Sequence, residues 1–155
     1  MHLVCDALPG SESRALVRRL IGIGNPDRGD DAAGWLVADG VTSWDVDKRA
    51  SGSLDLVTSW NEDDEVVIVD AMQSGAEPGA VAYFDATAYQ LPAATFPSSH
   101  SFGPSEIVEL ARTMQRIPRS LTVIGIEIGH TELGRPMTTA VADAVSRTIR
   151  DLQDA

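Results

Sequence analysis

Two rhythms of apolar and polar positions run along this chain. Short, nearly unbroken apolar runs close LVRRLIGI (16–23) and fill EVVIVDA (65–71) and LTVIGIEI (121–128). Runs of that length and β-branched content predict strands, the last two buried on both faces as in the middle of a parallel sheet. Between them lie segments with helical spacing. Val141, Ala144, Val145, Thr148, Ile149 and Leu152 share one stripe of a helix that Thr138 or Thr139 can cap. Pro104 opens a helix through Val108, Leu110 and Ala111. Asp30 or Asp31 is placed to cap another, running to about Asp39 with Ala33, Trp35, Leu36 and Val37 partly toward a core. A weaker strand is expected near Trp44–Arg49 and a short helix over residues 53–57. After the turn at Pro78-Gly79, a hairpin or edge strand is expected at Ala80–Phe84. Residues 86–99 show no period and read as loop; residues 1–14 read as a flexible leader.

Strands alternating with helices predict a single three-layer α/β domain over residues 15–155. Its twisted central sheet should be mostly parallel, with about five strands, room for an antiparallel edge strand, and helices on both faces. In such sheets, sites gather at the carboxyl ends of the strands.

Composition narrows the picture. With 155 residues, 43% of them hydrophobic and 23% charged, the chain can bury an ordinary globular core. Its formal charge of −11 repels phosphate backbones, so no nucleic-acid partner is expected. The apolar runs are too short to span a bilayer, and MHLVCDALPG lacks the basic-then-apolar order of a secretory signal. The single cysteine, Cys5, excludes an internal disulfide and any CxxC motif. A cytoplasmic protein without membrane association is expected.

The candidate chemistry lies where the sheet rule places it. Asp30 and Asp31 follow the first strand, Asp70 ends the apolar run EVVIV, and His100 stands in the loop before a helix. Singly, each has a plain reading as a cap, a hydrogen-bonded acid or a loop histidine. Together they put carboxylates and an imidazole on one rim. Two carboxylates about 4 Å apart repel by roughly 4 kcal/mol at an effective dielectric of about 20. A shared proton relieves this, as in an aspartic dyad, and so does a divalent cation. The added imidazole favours the cation, since mixed oxygen and nitrogen ligation suits zinc, nickel, cobalt or manganese. No HExxH helix is present. GIGNPDRG lacks both GxGxxG and a GK[ST] ending, and the serines beside His100 lack a GxSxG elbow. Cys5 and His2 carry no functional signal, and His130 reads as a loop residue beside the same rim.

The blocks GIGNPDRGDDAAG, VVIVDAMQSGAEPGAV, SSHSFG and VIGIEIGH occur in an order and spacing that resembles the hydrogenase maturation proteases, over residues 18–153. The resemblance implies a cytoplasmic, monomeric endopeptidase. It would remove the C-terminal extension from the precursor of a [NiFe] hydrogenase large subunit, after nickel insertion. The metal ligands it implies fall on Asp31, Asp70 and His100, with Asn25 and Asp30 as supporting positions. Asp31 and Asp70 would also be the candidate catalytic acids. Nickel would be carried by the substrate, and zinc or cadmium could substitute. Residues 35–64 are short and irregular for such a protein. That motivates an alternative, a non-proteolytic assembly chaperone or binding module on the same fold. A small metallohydrolase acting on an unrelated peptide is a second alternative.

Overall fold

The structure, a computed structural model, describes residues 16–92, 95–96 and 102–155. The leader expected over residues 1–14 and the candidate ligand His100 lie outside the described residues. Strands β1 (Arg18–Ile23), β2 (Asp45–Arg49), β3 (Glu65–Met72), β4 (Val81–Asp85) and β5 (Ser120–Glu127) form one sheet in the order β2-β1-β3-β5-β4. β1 pairs in parallel with β2 and β3, and β3 with β5; β4 runs antiparallel along β5. The helices are α1 (Ala33–Gly40), α2 (Leu54–Ser59), α3 (Pro104–Thr113) and α4 (Thr139–Asp154), with a short 3-10 helix at Gly29–Ala32 before α1. This is the expected α/β domain. The segment at 81–85 is the edge strand and not a hairpin partner of β3, because β5 takes the place beside β3.

The continuous apolar strands explain the layering. Val66, Ile68 and Met72 of β3 share one face with Leu121 and Val123 of β5, under Leu56 and Val57 of α2 and Ile107, Val108 and Ala111 of α3. Val67 and Val69 share the other face with Ile124 and Ile126, under Val37 of α1 and Val141, Ala144 and Val145 of α4. β2, with sequence DVDKR, lies at the sheet edge and is nowhere fully buried, so its apolar signal is weak. Arg116 closes α2: its guanidinium donates to the carbonyls of Val57 (3.2 Å), Thr58 (3.2 Å) and Trp60 (2.6 Å), which the helix leaves unpaired.

Two features place the site. β2 and β3 lie on opposite sides of β1, so the winding reverses there. The crevice at the carboxyl ends of β1 and β3 is a topological switch point. Gly34, in the first turn of α1, sits directly on the carbonyls of Ile23 and Val69; a Cβ there would lie 2.3 Å and 2.4 Å from their oxygens. With no side chain between, the start of α1 and the 3-10 helix before it rest on the ends of both strands.

Candidate functional site

Asp31 and Asp70 flank this crevice. Asp31 is carried by the 3-10 helix after β1. The turn beneath it is organised by Asn25, whose Oδ1 accepts the Asp27 N–H (2.9 Å) and whose carbonyl accepts that of Arg28 (3.1 Å). The Asn25 N–H donates to the Asp31 carbonyl at 3.2 Å. Asp70 is near the end of β3, opposite Gly125 of β5, and is only 8% exposed. Its Oδ1 accepts the N–H of Ala71 at 2.8 Å.

Both acids hold their protons more tightly than free aspartate. Burial pushes the Asp70 carboxyl well above its ordinary value, the Ala71 N–H opposes this, and the charge of Asp31 pushes it further up. Burial also raises Asp31, against the opposing Arg28 charge and the Asn25 N–H. At Asp70 the charge of Asp31 adds to burial, so the site favours whatever brings positive charge: a proton or a cation. Oxygen donors with raised proton affinity fit a divalent ion. Among the described residues, no three histidine, cysteine or acidic side chains gather to hold a metal.

Asp30, adjacent to Asp31, does something else. The expectation that Asp30 or Asp31 caps the following helix is corrected: no side chain caps the 3-10 helix or α1. Asp30 is fully buried and turns to the opposite wall. Its Oδ1 accepts the Thr138 N–H (2.8 Å), and its Oδ2 accepts those of Gly129 (2.8 Å) and His130 (3.2 Å). The Thr138 hydroxyl lies 3.1 Å from both oxygens and donates to them, and its oxygen accepts no N–H of α4, so it does not cap that helix, again contrary to the sequence reading. Burial alone would raise the Asp30 carboxyl; the N–H groups of Thr138, Gly129 and His130 and the Thr138 hydroxyl together hold it below its ordinary value. The clamp ties loop 129–138 to the 3-10 helix. His130 is more than a plain loop residue. Its buried Nδ1 has no partner among the described residues, and its ring lies over Gly29, where a Cβ would meet the ring Cε1 at 2.7 Å. The loop and the turn before the 3-10 helix enclose a groove of about 630 Å³ lined by Pro26, Leu36, Leu133 and Met137 among others.

Residues 50–154 match the hydrogenase maturation protease family. The chain belongs to that family. As a hydrogenase maturation protease it is 29% identical, over 150 residues, to the hydrogenase expression/formation protein HupD of Bradyrhizobium diazoefficiens, covering 89% of this chain and 75% of that protein. Its fold is shared by the endopeptidase HycI of Escherichia coli, at a TM-score of 0.69 and 22% identity, over 90% of each chain. It also matches the [NiFe] hydrogenase maturation protease HycI of Thermococcus kodakarensis at a TM-score of 0.65 and 26% identity, over 89% of this chain and 90% of that one. No helix among the described residues is long and apolar enough to cross a membrane.

One acid on this rim stands outside the candidate set drawn from the sequence. Glu127 ends β5, is 3% exposed, and accepts hydrogen bonds from Ser74. An acid closing an apolar strand is the signal that marks Asp70, and Glu127 carries it too.

Proposed function

We propose that this chain is the endopeptidase that removes the C-terminal extension of a [NiFe] hydrogenase large-subunit precursor once nickel is in place. Asp31, Asp70 and His100 complete the coordination of the nickel that the substrate carries. The observation that carries this reading is the placement of buried Asp70 beside Asp31 at the switch point, where the charge of Asp31 adds to the need of Asp70 for a positive partner. An empty precursor offers no such charge, so the same repulsion discriminates against it. Zinc or cadmium satisfies the same donors. Cleavage requires water to attack one peptide bond, and a carboxylate with raised proton affinity is suited to take the proton of that water. Asp70, the more deeply buried of the pair, is the stronger base; Asp31, nearer solvent, is better placed to admit water. The protein acts as a cytoplasmic monomer.

The test uses nickel-loaded and nickel-free precursor with the wild type and with Asp31→Asn, Asp70→Asn and His100→Ala, read by precursor mass. The expected result is shortening of the loaded precursor by the wild type alone. Equal cutting of both precursors disposes of nickel gating, and full activity in all three variants disposes of the site. Nickel-dependent binding without any mass change identifies the non-proteolytic chaperone instead.

A further inference from the structure

Glu127 is a buried acid that the reaction proposed above leaves unused. Both of its oxygens are committed to Ser74: Oε1 and Oε2 each lie 3.1 Å from the Ser74 N–H, and the Ser74 hydroxyl donates to Oε1 at 2.6 Å. Its main chain is committed to the other end of the same loop. The Glu127 N–H donates to the carbonyl of Ala80 (2.8 Å), and its carbonyl accepts the Gly79 N–H (2.9 Å). One residue therefore anchors the beginning and the end of the loop 73–79 that leaves β3 just after Asp70. On the opposite side, the Gln73 N–H donates to the Thr95 carbonyl at 2.9 Å. Register sets the relation to the site. Asp70 lies opposite Gly125, and Met72 opposite Glu127, so Glu127 stands two residues beyond the Asp70 level on the same face of the sheet.

A carboxylate buried without a cation is an expensive way to end a strand, which an apolar residue ends without penalty. Among the described residues no basic side chain pairs with it; it holds Ser74. We propose that Glu127 is a positioning residue. Through Ser74 it fixes loop 73–79 as a wall of the crevice beside Asp70, along which the precursor's peptide chain lies. The proposal rests on the proteolytic reading above.

Steady-state cleavage of nickel-loaded precursor tests it. Glu127→Ala should raise KM about tenfold while kcat stays within about twofold, the scale expected for losing hydrogen bonds to a charged acceptor. Glu127→Gln should keep KM within about threefold, because the Ser74 hydroxyl can reverse and accept from the new amide while the Ser74 N–H still donates to its oxygen. Ser74→Ala, a change at an exposed position, should raise KM several-fold and carries the test if Glu127→Ala does not fold. An unchanged KM in folded Glu127→Ala or Ser74→Ala overturns the proposal, as does a rise in KM in Glu127→Gln equal to that in Glu127→Ala. If the wild type leaves the precursor whole, the proteolytic reading fails on its own. The precursor's Kd, measured by calorimetry, then decides the wall: a tenfold weakening in Glu127→Ala supports it and no change overturns it.

Discussion

Replacing Asp30 by asparagine changes one heavy atom and should cost as much as truncating a large core side chain. The carboxylate serves three main-chain donors: Thr138 N–H at Oδ1, and Gly129 and His130 N–H at Oδ2. An asparagine has one acceptor oxygen. Whichever way it is turned, its NH₂ faces at least one N–H that cannot move. The variant loses at least one charge-assisted bond and leaves a buried donor unpaired, together about 3–5 kcal/mol. With a urea dependence of about 2 kcal/mol per molar for a chain of this size, the unfolding midpoint at pH 7 should fall by about 1.5–2.5 M. Tryptophan fluorescence reports it. The pH dependence is a second check. The folded Asp30 carboxyl lies below its ordinary value of 3.8, so the unfolded chain binds the proton more readily. The stability this group confers is complete above that value and is lost as pH falls through the folded-state pKa. The gap between wild type and variant should be flat from about pH 5 to 8 and narrow below about pH 4. A midpoint shift under about 0.5 M, or a gap that widens in acid, refutes the clamp.

Gly34→Ala should lower the thermal midpoint by roughly 5–10 °C, because the new Cβ meets two main-chain oxygens that cannot step aside; a fall under about 2 °C would show that α1 has room to rise. Asp70→Asn should abolish precursor cleavage yet raise the midpoint by roughly 2–4 °C in metal-free buffer. Since burial raises the folded Asp70 pKa above the unfolded value of 3.8, the wild type loses stability as pH rises through that interval. The variant's calorimetric advantage should therefore grow with pH, and a variant less stable than the wild type at pH 8 would contradict it. Arg116→Ala should cost about 1.5–3 kcal/mol in urea unfolding by uncapping α2. Arg116→Lys should recover less than half of that, as an ammonium cannot reproduce the fork; full recovery would show that charge alone matters.

What could be read in the sequence follows from how local each signal is. β3 and β5 are continuous apolar runs because both faces are covered, and the chain states this within a few residues. β2 is an edge strand whose half-exposed, charged sequence barely differs from a loop. Asp70 was legible because an acid at the end of such a run needs a partner, and Glu127 falls under the same rule. The role of Asp30 was not legible. An aspartate at a helix start looks the same whether it caps that helix or, as here, receives donors from residues about a hundred positions away. The same distance hid the diversion of Thr138 from its helix and the seat of His130 over Gly29.

The contact of Gly34 with the carbonyls of Ile23 and Val69 has a consequence for how such a protein can drift. The gauge of the crevice is set by main chain on main chain, like a joint with no gasket. Residues filling the two apolar layers can be traded wholesale without widening or pinching the gap that separates Asp31 from Asp70, provided that one position stays bare.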